Sequence, residues 1–286
     1  MRVRFRPTLW PGTTIKVPTL RPMHNVEVQG DWIVWPPQIG PGSIELPQDF
    51  YLRELMDIDP ADLEAAADMM RNYGILFDFD QKGLEKDRRI KLPDSEPISS
   101  EDPFNGFHKE EIRVHIETAQ YAIRTWLALQ SPNSYEALEE LVAPELSDEA
   151  YEHFKKHSSP GGNKSRERFK ELVLAVRMAD LDFILNAALS VISVGIVRDP
   201  FGEASGLPGY HTVYSSSFLQ LYNHMAEEAT VRHCANEPCG RPFVRQRGRA
   251  RFEQHRTEGI MYCTRECARA QAQRELRRRR RNEKTK

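Results

Sequence analysis

The sequence predicts a mainly α-helical protein with a small β-containing section near its N-terminus and a separate cysteine-containing module at its C-terminus. Apolar residues recur at helical spacing in several segments between residues 59 and 230, which favours amphipathic helices. The first 50 residues are instead rich in proline and glycine, and all four cysteines of the 286-residue chain follow residue 233. Because strands and helices do not alternate, no parallel sheet is expected.

The β-containing section is predicted within residues 1–50. The stretch NVEVQGDWIVW, residues 25–35, has two short β-prone runs on either side of Gln29-Gly30-Asp31, which is typical of a hairpin. Proline and glycine in the following WPPQIGPGS break regular structure. The fold is therefore expected to begin with a hairpin near residues 25–35.

Five helices are predicted after this hairpin. The first has Asp59 as its cap, Pro60 at its first position and Gly74 at its end. The helix after Ser165 is the most apolar segment and is assigned to the core. Residues 80–105 are polar and are predicted to be a long loop. The five helices cover approximately residues 59–74, 108–130, 147–157, 165–193 and 217–230.

Charge is distributed unevenly along the chain. Residues 231–286 carry 17 Lys and Arg against 6 Asp and Glu, a balance of +11, whereas residues 1–230 carry a balance of −13. This split predicts two domains, an acidic and mostly helical body over residues 1–230 and a basic module over residues 231–286. A basic module favours a polyanionic partner.

Composition excludes several classes of protein. A hydrophobic fraction of 40% is too high for a disordered chain. No stretch reaches the roughly 18 apolar residues of a membrane helix, and the basic N-terminus lacks the apolar segment of a signal peptide. We therefore expect a cytoplasmic protein with no membrane partner. In that compartment paired cysteines are more often metal ligands or redox centres than disulfides.

The cysteines form two close pairs. Four residues separate Cys234 from Cys239, three separate Cys263 from Cys267, and 23 lie between the pairs. This is the usual layout of a four-thiolate zinc site, in which each pair supplies two ligands of a tetrahedron. Gly240 follows the first pair, where a tight knuckle needs a residue without a Cβ. The second pair begins a segment of strong helix formers. The pattern predicts one structural zinc ion in a treble-clef-like finger.

Other interpretations of the cysteines are weaker. Two disulfides are typical of secreted proteins, but the sequence has no secretory signal. A redox dithiol favours Cys-x2-Cys beside a βαβ pattern, and the sequence has neither. Four unpaired surface thiols would be a liability. His233 and His255 lie nearby and could replace a sulfur ligand, but four sulfurs are favoured.

The module carries a second pattern, formed by arginines. In FVRQRGRARF every second residue from Arg245 is arginine, and a period of two places these guanidinium groups on one face of a strand. An arginine run follows in the C-terminal helix. The guanidinium group of arginine can bind two phosphate oxygens at once, so these arginines favour a nucleic-acid partner. The arginine run by itself is equally typical of a solvent-exposed helix end. The predicted nucleic-acid contacts are Arg245, Arg247, Arg249, Arg251, Arg274, Arg277, Arg278, Arg279, Arg280 and Arg281.

Residues 231–286 resemble the CGNR-type zinc finger of bacterial proteins regarded as stress-responsive transcription regulators. The resemblance lies in an arginine-rich middle, in Tyr262-Cys263, in a basic C-terminal helix and in Cys234-x4-Cys239-Gly240-x-x-Phe243. Cys267-Ala268-Arg269-Ala270 departs from the family's Cys-Gly-Asn-Arg signature. The resemblance implies zinc ligation by all four cysteines and a regulatory role. In that family a helical ABATE domain precedes the finger, and residues 59–76 are faintly similar to its early helix.

No enzyme is predicted. Asp78-Phe79-Asp80 pairs two acids, and His153 and His157 have the spacing of metal ligands but not the His-Glu-x-x-His pattern. Asp180 and Asp182 lie in the long apolar helix, where buried, functional positions are one alternative and a partly exposed flank is favoured. Neither a Gly-x-Ser-x-Gly motif nor a phosphate-binding loop occurs.

These patterns predict a zinc-dependent nucleic-acid-binding protein whose finger arginines contact phosphates, and the family resemblance implies that it is a bacterial transcription regulator. DNA and RNA both remain open as partners, as does a homodimer. The alternative is a protein-interaction module whose basic finger docks on an acidic partner or on its own acidic body. The nearest side chains able to read base edges are Asn236, Gln246, Gln254 and Gln271.

Overall fold

A computed structural model of the chain describes residues 15–36, 42–47, 49–77, 105–159, 162–190, 192, 197–198, 204–205, 211–227, 229–245 and 261–284. The protein is mainly α-helical with small antiparallel sheets, as the sequence predicts. Its described residues divide into two compact units, the first within 16–221 and the second formed by Ile15 and residues within 222–284. The second unit contains all four cysteines.

A three-stranded antiparallel sheet lies near the start of the first unit. β1 (Glu27–Gln29), β2 (Trp32–Trp35) and β3 (Asn105–His108) are paired in that order. Gly30 joins β1 to β2 with a φ of 60°, a left-handed conformation that glycine adopts at no steric cost. Phe107 of β3 is fully buried, so the sheet contributes to the core.

Helices form most of the first unit. The two-residue strands β4 (Val197–Arg198) and β5 (Ala204–Ser205) pair before the last helix of this unit. No helix in the described part of the chain is long and apolar enough to cross a membrane. The helices are α1 (Phe50–Asp57), α2 (Leu63–Tyr73), α3 (Lys109–Gln130), α4 (Ser134–Val142), a 3-10 turn (Ala143–Leu146), α5 (Asp148–His157), α6 (Arg166–Leu189) and α7 (Val213–Ala226).

Side-chain caps fix where several helices begin. Ser147 and Ser165 each accept a hydrogen bond from the backbone N–H three residues further on, at the starts of α5 and α6. At α3, His108 accepts from the N–H of Glu110, while the Glu111 carboxylate accepts from the N–H of His108. This reciprocal capping box explains why α3 begins where the sequence predicts.

Two helix starts differ from the prediction. The cap of α2 is Asp62 and not the predicted Asp59. The Asp62 carboxylate accepts a hydrogen bond from a backbone N–H in the first turn of the helix, whereas the Asp59 carboxylate accepts one from a backbone N–H in the turn before it. α7 begins one turn before the predicted residue 217. Thr212 and Ser215 explain this shift, since the hydroxyl of each accepts from the backbone N–H of the other.

The core of the first unit contains a buried imidazole. Phe77 stacks on His115 with ring centroids 3.8 Å apart and on Phe107 with centroids 4.0 Å apart, and Tyr214 meets His115 edge-on. Burial lowers the pKa of His115 to about 4, so the ring is neutral at pH 7. His115 therefore packs as an aromatic side chain.

A buried arginine joins α6 to α3. The guanidinium carbon of Arg177 lies 3.2 Å from the centroid of the Tyr121 ring, and its Nε donates to Thr125 Oγ1 at 2.8 Å. Its Nη1 pairs with Glu145 at 3.1 Å. The Tyr121 hydroxyl donates to Asp180 at 2.9 Å. Asp180 thereby helps to hold the two helices together.

The second unit contains a hairpin and a long helix. β6 (Thr230–His233) and β7 (Pro242–Arg245) pair antiparallel, and α8 (Arg265–Lys284) follows them in the chain. Phe243 and Val244 of β7 are buried. The described part of this unit has few other buried apolar side chains, which makes the cysteine cluster important to its fold.

Candidate metal centre

The elements of the second unit place the cysteines in two pairs. Cys234 directly follows β6, and Cys239 lies three residues before β7. Because β6 and β7 pair antiparallel, the segment between them returns to the same end of the hairpin and brings these two cysteines together. Cys263 lies two residues before α8, and Cys267 lies in its first turn.

The four sulfur atoms form one cluster. All four Sγ atoms lie within 4.8 Å of one another. The Sγ atoms of Cys239 and Cys263 are 3.7 Å apart, and those of Cys263 and Cys267 are 3.5 Å apart. Four sulfurs at about 2.3 Å from a tetrahedral zinc ion are about 3.8 Å from one another. The cluster could therefore hold one metal ion, such as zinc.

The structure does not contain the disulfides considered as an alternative. Sulfurs joined in a disulfide are about 2.05 Å apart, whereas the four described cysteines are all free. His233 is not a member of the cluster, since it is exposed and its Nδ1 lies 3.2 Å from the carbonyl of Gly240. His255 lies outside the described residues.

The first pair lies on a tight turn, residues 234–240, which we call the knuckle. The backbone N–H groups of Cys239 and Gly240 both donate to the carbonyl of Asn236, at 2.7 and 3.1 Å. Gly240 has a φ of 55°, in the left-handed region. A Cβ added there would meet no atom within 4 Å, so backbone conformation and not lack of space favours glycine.

Backbone hydrogen bonds connect the second pair to the knuckle. The N–H of Cys263 donates to Cys234 Sγ at 3.5 Å, and the N–H of Ala235 donates to the carbonyl of Met261 at 2.7 Å. Thr264 Oγ1 accepts from the N–H of Cys267 at 3.2 Å, which caps the start of α8. These bonds set the distance between the two pairs.

Proximity changes the ionisation of the thiols. Burial, reinforced by hydrogen bonds to the three other sulfurs, raises the pKa of the Cys263 thiol. Burial also acts to raise the pKa of Cys267, but hydrogen bonds to Thr264, Asn236 and the neighbouring thiols outweigh it and lower that pKa to about 7. Because metals bind thiolates, a cation among these sulfurs would favour the loss of their protons.

Side chains of α8 fasten the helix to the knuckle. Both terminal nitrogens of Arg278 donate to the carboxylate of Glu237, each at 2.6 Å. The Gln271 side-chain amide donates a hydrogen bond to the same carboxylate at 3.2 Å. Arg274 donates one hydrogen bond to the Gln271 amide oxygen and another to Asn236 Oδ1. The Arg278 pair is largely exposed, so it orients the helix more than it stabilises it. One face of α8 is thus turned towards the knuckle.

The predicted nucleic-acid contacts fall into three groups. Arg247, Arg249 and Arg251 lie outside the described residues, and the strand predicted to carry them is described only as far as Arg245, the last residue of β7. Arg274 and Arg278 bond to the knuckle. The other arginines of the C-terminal run are exposed, and they are Arg277, Arg279, Arg280 and Arg281.

Two of the predicted base-reading side chains have internal partners. Asn236 and Gln271 are buried, with 7% and 5% of their surface exposed, and both bond to Arg274. Gln246 and Gln254 lie outside the described residues. The amide groups of Asn236 and Gln271 therefore help to hold α8 to the knuckle.

The residues considered for catalysis lie in the first unit. His153 and His157 are exposed on α5, where their rings stack at 4.0 Å and His157 Nδ1 lies 2.9 Å from the carbonyl of His153. Asp182 is exposed on α6, and partial desolvation of its carboxyl group by the surrounding protein raises its pKa. Asp180 is half-buried and accepts a hydrogen bond from the Tyr121 hydroxyl. Residues 78–80 lie outside the described chain.

Sequence reasoning missed the role of the residues inside the first cysteine pair. Asn236 and Glu237 lie between Cys234 and Cys239, and polar residues there are unremarkable in a turn. A usable signal does exist on α8, because Gln271, Arg274 and Arg278 are three and four residues apart and so share one face. The spacing of these three residues identifies a polar face of α8, but it does not show that this face contacts the turn between Cys234 and Cys239.

Comparison of the chain with protein-family models, curated proteins and solved structures found no match in any of the three. The resemblance of residues 231–286 to a CGNR-type finger therefore stays a prediction from the residues quoted for it. The geometry of the sulfur cluster and of α8 is the basis on which a function can be argued.

Proposed function

We propose that the protein is a zinc-dependent nucleic-acid-binding transcription regulator whose second unit is a structural zinc finger. Cys234, Cys239, Cys263 and Cys267 would supply four thiolates to one zinc ion. Four protein ligands leave zinc no open position, so its role would be structural and not catalytic. The knuckle, the hairpin and the helix that carries Cys267 support a treble-clef-like finger as the fold of this unit.

The observation that carries this proposal is the attachment of α8 to the sulfur cluster. The helix begins two residues after Cys263, contains Cys267 and bonds to the knuckle through Arg278. A metal ion held by the cluster would therefore fix the direction of the most basic segment of the chain. Helix α8 has 20 residues and is about 30 Å long, enough to lie along a nucleic acid.

The metal part of the proposal is tested by elemental analysis of the full-length protein. We expect about one zinc per chain, and loss of zinc in Cys239→Ser and Cys267→Ser variants. The control is His233→Ala, which should keep its zinc because that ring lies outside the cluster. A metal-free protein with two disulfides would overturn the zinc finger.

The nucleic-acid part is tested by titrating zinc-loaded, full-length protein with duplex DNA of mixed sequence at several salt concentrations. Phosphate contacts predict a log–log slope of about −0.9 per phosphate neutralised. Removal of zinc by a chelator should abolish binding, because the arginines would lose their fixed arrangement. Absence of binding at low salt by the zinc-loaded protein would contradict the proposed function.

A second candidate is docking of the basic finger on an acidic protein. The bidentate pair between Arg278 and Glu237 favours this candidate, because here an arginine of α8 already binds a carboxylate within the protein itself. Polyglutamate is a suitable probe. If it bound the zinc-loaded protein more tightly than duplex DNA at the same salt, this candidate would replace nucleic-acid binding.

A further inference from the structure

One face of α8 points away from the knuckle. Arg269, Ala272, Gln273, Leu276 and Arg280 share it, because residues 3, 4, 7 and 11 positions apart lie on one side of a helix with 3.6 residues per turn. All five are exposed, and Leu276 exposes 49% of its surface although it is apolar. We call these five residues the outer face.

Two further arginines lie on either side of the outer face. Helical geometry places Arg277 on one flank and Arg279 on the other, each roughly 80° from the centre of the face. Both are exposed, and neither forms a hydrogen bond or ion pair with the described part of the chain. The outer face thus combines one amide, Gln273, and two small or apolar side chains with the two arginines Arg269 and Arg280, and it has a further arginine on each flank.

We propose that the outer face enters the major groove of duplex DNA, an inference that rests on the proposed function. An α-helix about 10–12 Å across fits a groove about 12 Å wide. Gln273 would pair with an adenine edge, and Ala272 and Leu276 would contact thymine methyl groups. Arg277 and Arg279 would each reach the phosphates of one groove wall.

Arg274 and Arg278 have a different role on this proposal. They lie on the opposite face of α8, where they bond to Asn236 and Glu237. They are positioning residues, which set the rotation of the helix about its own axis and so decide which side chains point outward. The C-terminal run, uniform in sequence, thus divides into contacting and positioning arginines.

This division is tested with two variants of equal charge, each in full-length, zinc-loaded protein. Arg277→Gln/Arg279→Gln removes two contacting arginines, and the salt slope on duplex DNA should become shallower by about 1.8. Arg274→Gln/Arg278→Gln removes two positioning arginines that contact no phosphate themselves. Because Cys263 and Cys267 still attach α8 to the sulfur cluster, this pair should change the slope by much less than the first pair. If this pair fails to retain zinc, Arg278→Gln and Arg279→Gln provide the matched comparison, with an expected change of about 0.9 for Arg279→Gln and a much smaller one for Arg278→Gln.

Base reading is tested by selecting duplexes from a random pool with the wild-type protein. Gln273→Ala should bind the selected site about tenfold more weakly while its salt slope on random duplex stays unchanged. A major-groove ligand, methyl green, should compete with the protein, and a minor-groove ligand, netropsin, should not. Duplex RNA should bind more weakly than duplex DNA, because its major groove is too narrow for a helix.

The outcomes separate this inference from the proposed function. If the wild-type protein binds no duplex at low salt, the proposed function fails and the inference fails with it. If it binds but the two arginine pairs lower the slope equally, or netropsin alone competes, or Gln273→Ala keeps its preference for the selected site, the inference fails while nucleic-acid binding stands.

Discussion

Gly240 illustrates how a single backbone angle controls the geometry of the sulfur cluster. Its φ of 55° allows the chain to turn immediately after Cys239 and to enter β7. An L-residue with a Cβ adopts this conformation at a cost of about 1–2 kcal/mol, and asparagine tolerates it better than most. The identity of residue 240 would therefore affect metal binding by the cluster without any contact to the metal.

The first prediction follows from this cost. Gly240→Ala should weaken zinc binding about 5- to 30-fold, which corresponds to about 1–2 kcal/mol, whereas Gly240→Asn should weaken it less. Zinc affinity is measured by competition with a chelator of known affinity. Equal affinities for the wild-type protein and Gly240→Ala would show that the left-handed conformation does not limit ligation.

The second prediction concerns the pH dependence that His115 contributes to stability. Its pKa is about 4 in the folded protein, below the ordinary 6.5, so the unfolded chain takes up the proton first as pH falls. The stabilisation is fully present above pH 6.5 and is lost between pH 6.5 and 4, by about 3 kcal/mol at most.

Urea denaturation at pH 7, 5.5 and 4.5 measures this loss. His115→Phe keeps an aromatic ring against Phe77 and should lose less stability over this range than the wild-type protein. His153→Gln is the control, because that ring is exposed on α5. A wild-type pH dependence in His115→Phe would rule out the buried imidazole as its source.

Among the elements, the contact between α3 and α6 depends on one cation. Arg177 has 6% of its side chain exposed and bonds to Thr125 and Glu145 while lying over the Tyr121 ring. Its partner Glu145 is 45% exposed, so water reaches one member of the ion pair. Removing the arginine would leave the Thr125 hydroxyl with one bond fewer in a buried position.

The third prediction compares two arginines of α6. Arg177→Met should lower the free energy of unfolding by about 2–3 kcal/mol, because a buried, charge-assisted set of hydrogen bonds is lost. Arg168→Ala should change it by less than about 0.5 kcal/mol, since that side chain is exposed. Both values come from urea midpoints, and equal effects would mean that Arg177 has no special role in joining the helices.

Elements were predictable from sequence where their signals are local. The limits of α3 follow from a capping box at His108 and from apolar residues at helical spacing, and both signals lie within the segment itself. The starts of α2 and α7 shifted by about one turn, because each has two nearby residues able to cap and sequence does not choose between them. The two close cysteine pairs are also local signals, and the meeting of the pairs across 23 residues was predicted only because a zinc site takes four ligands.

Contacts between distant residues were not predictable. The bond between Glu237 and Arg278 spans 41 residues and depends on the rotation of α8 about its axis. A run of five arginines contains no information on that rotation. The prediction from sequence therefore gave Arg278 the same role as its neighbours, whereas in the structure Arg278 is bound to Glu237 of the knuckle.

At the scale of the whole molecule, the two units depend on different stabilising forces. The first unit buries large side chains such as Trp126, Tyr51 and Phe50. In the second unit the buried apolar residues of the described chain are few, and the four sulfurs connect its knuckle to α8. Metal removal should therefore affect the two units unequally.

The fourth prediction tests this difference by hydrogen exchange with and without a zinc chelator. Backbone amides of β6, β7 and α8 should lose protection when zinc is removed, because folding of a small metal site is coupled to metal binding. Amides of α3 and α6 should keep theirs. The Cys239→Ser variant should show the same pattern without chelator, and equal loss across both units would contradict the assignment.

The sulfur cluster has a consequence for how the arginines of α8 respond to metal supply. If the cluster binds zinc and the unfolded chain does not, each tenfold rise in free zinc above the dissociation constant stabilises the second unit by about 1.4 kcal/mol. The positive charges of the helix do not vary with zinc concentration, but their arrangement in space does. Mass action would thus make the fraction of chains with an ordered cationic surface a measure of free zinc.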